Sequence, residues 1–386
     1  MYAKLVRSAL SLRCTPAIAA VASLGLLAPA TTMAASPLPK YRIVEIPLSD
    51  SGTANGMNNR GDVVGDVVAG ALAPQAFLYD HQSGAVRYLT VRSEPYTEAN
   101  GINDNGLVVG SAEPDGVAVV WAKSGAVEVL PQGGLCPYCF ANAVNNQDLI
   151  VGDWGNFGYP GGGALAWRGS QHTLDVLPIL DCFQCATLPA VANAVNDQGH
   201  IVGSSICGSP PGSNPCFGDR AVIWRNGTIK DLGQPGGVSG LNGTNYESFA
   251  YGINNRDDVV GGFDGATANH AFLYHGEKMV DIGTIRGDTD SSAASINDQG
   301  EIVGWSTNYT TIRAFIYIDG RMLDLNTLID PESSLKDVVH LSEAVGINSK
   351  GWIAANGTSS RDDLMHVYLL IREECRSDRP TKVPLS

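Results

Sequence analysis

An asparagine that recurs seven times, each time after a short run of small and apolar residues, constrains this chain more than any other feature. The copies are Ala54–Asn58, Ala99–Asn103, Ala141–Asn145, Ala192–Asn196, Ala250–Asn254, Ala293–Asn297 and Ala344–Asn348. They lie roughly 40–60 residues apart, about the length one four-stranded propeller blade occupies. Each unit repeats one grammar. A polar turn such as Asn103-Asp104-Asn105-Gly106 follows the Asn, since Asn and Asp fold back on their own backbone and Gly accepts a positive φ. A second apolar run ends in Gly, as in Val63–Gly65, Val108–Gly110, Ile201–Gly203, Val259–Gly261 and Ile302–Gly304. A third spans Ala76–Tyr79, Ala118–Trp121, Ala221–Trp224, Ala271–Tyr274 and Ala314–Tyr317, and a fourth Val127–Leu130, Ile229–Leu232 and Met322–Leu325. Four short strands with turns between them make a meander, the unit of a propeller.

Two details favour a closed ring over a linear stack. The first strand of each unit is built from Ala and Gly, as suits strands crowding around a central channel. The seventh unit stops after its third strand, His366–Ile371, whereas Tyr41–Pro47 precedes unit one and reads as a fourth strand. The expectation is an all-β, seven-bladed β-propeller over residues 36–371, closed by the N-terminal strand (41–48) pairing into the last blade, which removes free edges. Residues 372–386 form a charged tail.

Residues 1–35 read as a secretory signal peptide: a basic start (Lys4, Arg7, Arg13), an apolar stretch from Ala17 to Ala30 and a small-residue cleavage site near Ala34 or Ala35. The expectation is export, to the periplasm or outside the cell. No later segment approaches the ~18 apolar residues of a membrane span. The formal net charge is −14 at pH 7, and the leader takes three cations with it. So acidic a surface repels phosphate backbones, which excludes nucleic acid as an expected partner. A monomer is expected, with no cofactor.

At these residues the chain resembles the HAF-repeat family of extracellular repeat proteins, named for a His-Ala-Phe tripeptide. His270-Ala271-Phe272 matches in full, and Gln75–Phe77 and Arg313–Phe315 match in part. The resemblance implies export and a repeated β fold; it supplies no site residues.

Seven cysteines follow the leader. Cys136/Cys139 and Cys182/Cys185 form CxxC pairs in equivalent connections, entering blades three and four. Cys207 and Cys216 fall in the second-to-third loop of blade four, and Cys375 lies in the tail. Disulfides are expected for an exported chain, Cys207 with Cys216 first, and with the pairing of the two CxxC loops open. Against this stand a zinc site and a redox pair, which lacks the usual helix N-terminus. The Asn-Asp-x-Gly segments read as structural turns rather than calcium loops.

No GxSxG, HExxH, P-loop or dinucleotide fingerprint occurs. Carboxylates Glu94, Glu98, Glu113, Asp153, Asp181, Glu247, Asp264, Asp288, Asp290 and Asp362 are assigned to solvated loops of the cysteine-bearing face, and His340 to a long connection. Aromatics expected in loops of the same face, Tyr96, Trp154, Phe157, Tyr159, Tyr246, Trp305 and Tyr309, are the candidate ligand-binding set, since exposed rings beside carboxylates and amides stack on sugars or grip proteins. The leading functional expectation is a non-catalytic binding or scaffold module for a protein or glycan. The alternatives are a polysaccharide hydrolase or lyase using two loop carboxylates, and a CxxC metal or redox protein.

Overall fold

In a computed structural model the described residues are 38–373, apart from 69–73, 93, 135–137, 156–161, 181–188, 209–216, 236–246, 266 and 363. The signal-peptide reading, the tail and Cys136, Cys182, Cys185, Cys216 and Cys375 therefore lie outside them. Seven four-stranded antiparallel sheets follow one another, each a simple meander except the last. Their innermost strands are Ser51–Met57, Tyr96–Ile102, Cys139–Val144, Ala190–Val195, Ser248–Ile253, Asp290–Ile296 and Val339–Ile347. The last sheet takes its outer strand, Tyr41–Glu45, from the start of the chain. That strand pairs antiparallel with Met365–Arg372, with Tyr41 opposite Arg372 and Glu45 opposite Tyr368. The expected seven-bladed propeller and its closure are both found, and Lys40–Arg372 forms one compact unit.

The repeated Val-Gly has a steric cause. In every innermost strand the register shifts at the motif, for example between Ala54 and Gly56 or between Ala99 and Gly101. The bulge drives a strand-one carbonyl into its neighbour. A Cβ on Gly65, Gly110, Gly152 or Gly261 would stand 1.9 Å from the carbonyl oxygen of Thr53, Glu98, Phe140 or Phe249. Only glycine fits there. Blade 7 carries Ala355 at this position and has two register shifts in the same strand pair instead.

The apolar core is a ring of clusters between neighbouring blades. Val64 and Ala76 of blade 1 pack with Ala99, Val108 and Trp121 of blade 2; Val260 and Ala271 of blade 5 pack with Ala293, Ile302 and Phe315 of blade 6. The motif alanine is fully or almost fully buried in all seven blades. Truncating Phe272, which has no exposed surface, to alanine would cost about 3–5 kcal/mol. Three tryptophans tie blades together with their indole N–H: Trp121 donates to the Thr90 carbonyl, Trp167 to Pro131 and Trp224 to Pro178. Among the described residues no helix is long and apolar enough to cross a membrane.

Candidate functional site

The channel has two mouths, and the repeat asparagine builds one of them. The Asn58 side-chain oxygen accepts from the backbone N–H of Arg60 and Asp62, closing the turn. Its amide donates to the Asn103 carbonyl, 3.1 Å away in the next blade. Asn103 donates likewise to Asn145, Asn145 to Asn196, Asn196 to Asn254, Asn254 to Asn297, Asn297 to Asn348, and Asn348 back to Asn58. The result is a closed girdle of seven buried amides. Each is hydrogen-bonded at both its oxygen and its amide nitrogen, as buried polar groups in a shared network require.

The next residue of each turn forms a second ring, Asn59, Asp104, Asn146, Asp197, Asn255, Asp298 and Ser349, around a polar cavity of about 230 Å³. Its carboxylates accept from neighbouring amides: Asp104 from Asn59 and Asn146, Asp197 from Asn146 and Asn255, Asp298 from Asn255. The Asn-Asp-x-Gly segments thus act as blade-to-blade fasteners.

The opposite mouth, where the second-to-third loops lie, is built differently. Three residues before the girdle, Asn55, Asn100, Asn142 and Asn193 line the channel in blades 1–4. Each donates to the motif alanine carbonyl of the following blade. Blades 5–7 place Tyr251, Ala294 and Val345 there instead. Two residues further towards the loops, on the same face of each strand, come Thr53, Glu98, Phe140, Val191, Phe249, Ser292 and Glu343. The shared face is fixed by contact: Thr53 and Asn55 both donate to Asp66, and the Phe249 and Tyr251 rings stack with centroids 6.3 Å apart and planes 12° apart. Tyr251 is 41% exposed.

Acids gather at this mouth. Among the described residues every carboxylate whose proton affinity is raised stands here: Glu98, Asp153, Asp219 and Glu343. The main cause in each is partial loss of hydration of the carboxylate. For Glu98 the charges of Asp66 and Glu113 add to it, and for Asp219 that of Glu247 does. Asn142 and Asn356 oppose the shift at Asp153 and Glu343 by hydrogen bonding. Burial also raises the Tyr251 hydroxyl, helped by Asp219 and Asp264. Neither cavity of the channel is lined by Lys or Arg. Arg220 and Arg313, on third strands at this face, are held by Asp231 and Asp288.

Several sequence expectations need correction. Tyr96 opens the Tyr96–Ile102 strand, Trp154 ends Ile150–Trp154, and Trp305 lies inside Ile302–Thr307; none is a loop residue. Strands here run past the motif into what reads as loop, because antiparallel partners extend the pairing. Trp154 packs on the blade 2–3 core cluster. Tyr309 does sit in a turn and is 79% exposed. Phe157, Tyr159 and Tyr246 lie outside the described residues, as does Asp181. Glu98, Asp153, Asp264 and Asp290 belong to strands, Glu94 and Asp290 are buried, and His340 lies in the Val339–Ile347 strand. Cys139 is the buried first residue of its strand, and Cys207 lies in Ile201–Gly208 rather than in a loop. Tyr251, Phe249 and Glu343 were not anticipated. Of these only Tyr251 carried a signal in the repeat, since it stands where four units have Asn.

No family model and no curated protein matches the chain. Solved structures do. The β-propeller domain of the Trilobed protease from Pyrococcus furiosus superposes with a TM-score of 0.53 at 10% identity, covering 85% of this chain and 96% of that one. An oligogalacturonate lyase in complex with manganese gives 0.52 at 10%, over 87% and 97%. Virginiamycin B lyase from Staphylococcus aureus gives 0.50 at 10%, over 86% and 99%. At these identities the likeness is one of fold alone, and the chain is a β-propeller.

Proposed function

We propose that this chain is an exported, non-catalytic binding propeller whose ligand seat is the loop-side mouth of its channel, and that the ligand is a glycan. One observation carries the reading: the channel-lining asparagine gives way at blade 5 to Tyr251, an exposed ring on a rigid innermost strand, stacked on Phe249. A sugar offers an apolar C–H face and an edge of hydroxyls. The Tyr251–Phe249 pair suits the face, and the carboxylates and side-chain amides around it accept from the hydroxyls. Export rests on the residue 1–35 pattern. The test is affinity electrophoresis against a panel of polysaccharides, with Tyr251→Ala as control. Retention of the wild type and its loss in a variant of unchanged melting temperature supports the reading; no retention on any polysaccharide defeats it.

A second reading, polysaccharide hydrolysis, is favoured by Glu98 alone. A carboxyl kept protonated above the usual range beside two other carboxylates is the arrangement a general acid needs. Release of reducing ends that vanishes in Glu98→Gln would establish it.

The cysteines are proposed as loop staples. In support, neither Cys139 nor Cys207 is a free thiol. One free thiol and no bound metal on the purified protein is the expected count; stoichiometric zinc would replace the staples with a metal site.

A further inference from the structure

We infer that the loop-side mouth selects a glycan bearing free amino groups, an amino-sugar chain, over its neutral or acetylated counterpart. This rests on the reading of that mouth as a glycan seat. The argument begins with what the Tyr251–Phe249 pair leaves around itself. A stacked, partly exposed aromatic pair attracts a sugar face and, through the negative face of its rings, an ammonium group beside it. Around it stand Asp219 and Asp264, close enough to act on the Tyr251 hydroxyl. On the same ring of the channel wall are Glu98 and Glu343, from blades 2 and 7.

At this mouth Asn142 and Asn356 hydrogen-bond to Asp153 and Glu343, but the charges beside Glu98 and Asp219 are other acids. The turn-side ring carboxylates each receive one or two amide N–H groups from the neighbouring blades. By contrast Glu98 has Asp66 and Glu113 as its charged neighbours, and Asp219 has Glu247. Like charges at short range in a concave, partly dehydrated wall repel one another. A ligand that brings only hydroxyls hydrogen-bonds to these acids but leaves their like charges unbalanced. Ammonium groups spaced along a sugar chain would relieve it at several blades, and an anionic glycan would add to it. The mouth therefore discriminates by charge as well as by stacking.

The experiment is calorimetric titration of the full chain with three soluble oligosaccharides of equal length: a glucosamine oligomer, an N-acetylglucosamine oligomer and a glucose oligomer. The pH is set where the amines are protonated, and low and moderate salt are compared. The expected result is glucosamine binding about tenfold tighter than either neutral oligomer, a difference of about 1.4 kcal/mol, with that advantage shrinking as salt is added. The double variant Glu98→Gln/Glu343→Gln should lose the advantage. Tyr251→Ala should lose all three ligands. Asp319→Asn, which removes one charge from an exposed hairpin turn on the other face, should change nothing. Equal affinity for the three oligomers, or an advantage untouched by the double variant, would overturn the inference and leave the glycan seat standing. Failure of all three to bind would remove both.

Discussion

The two mouths of this channel are made from the same seven strands a few residues apart, yet they use polar side chains in opposite ways. At the turn side, seven asparagines occupy one repeat position, each bonded to its own turn through its oxygen and to the next blade through its amide. At the loop side, the equivalent positions hold Thr, Glu, Phe, Val, Phe, Ser and Glu, and Glu98 has Asp66 and Glu113 as charged neighbours. Sevenfold sameness marks the end that holds the fold together; variation, five residue types over seven blades, marks the proposed ligand seat. A residue at the first mouth is answerable to its neighbours all round the ring, whereas at the second only blades 1–4 repeat a blade-to-blade bond, from Asn55, Asn100, Asn142 and Asn193.

Four measurements would break or sharpen this contrast. The largest effect belongs to ring closure: a chain lacking residues 1–47 loses the outer strand of blade 7 and the Tyr41 and Glu45 contacts with Arg372 and Arg361. It should fail to give a cooperative unfolding transition by calorimetry. Next is the girdle. Asn145→Ala strips the acceptor from the N–H groups of Gln147 and Leu149 and the donor from the Asn196 carbonyl. Leaving these groups unpaired should cost about 2–4 kcal/mol in urea unfolding, against about 1 kcal/mol for the half-buried channel-wall Asn100→Ala, which loses one bond to Ala141. A girdle variant as stable as wild type would dissolve the distinction between the mouths.

Tyr251→Ala should leave the unfolding midpoint nearly unchanged, within about 0.5 kcal/mol, while removing ligand retention. The smallest effect is electrostatic. The raised proton affinities of Glu98 and Glu343 mean that the folded state holds their protons more tightly than the unfolded chain does. Lowering the pH through that raised range therefore adds stability, and at neutral pH their charges subtract it. Glu98→Gln/Glu343→Gln should accordingly be more stable than wild type at neutral pH, by about 0.5 kcal/mol. The gain should fade as the pH falls into the carboxylate range. A loss of stability at neutral pH would show that these acids serve the fold.

The fold was legible because its determinants are local. The bulge at the motif, the glycine opposite it and the Asx turn after it each write themselves into a few adjacent residues, seven times over. The closing strand was legible by counting. What the asparagine is for was not, because the acceptor of Asn58 lies in the next blade at Asn103 and no short-range pattern displays it. The strands of the loop-side mouth were misread for a related reason. Glu98, Trp154 and Trp305 follow or precede Gly and Ala, which read as loop, and only antiparallel pairing keeps them in strands. Tyr251 was visible in the sequence as an exception, but its exposure became apparent only once the strand direction was known.

The second ring of the turn-side mouth runs Asn59, Asp104, Asn146, Asp197, Asn255, Asp298, amide against carboxylate at every step. Such alternation requires an even number of members. Seven is odd, so somewhere two like groups must meet or one place must abstain. The abstaining residue is Ser349, whose backbone N–H still reaches Asn59 while its side chain is neither amide nor acid. It sits in blade 7, the one blade assembled from both ends of the chain. Parity thus gives an otherwise regular ring an origin, and it falls in the blade where the ring itself is joined.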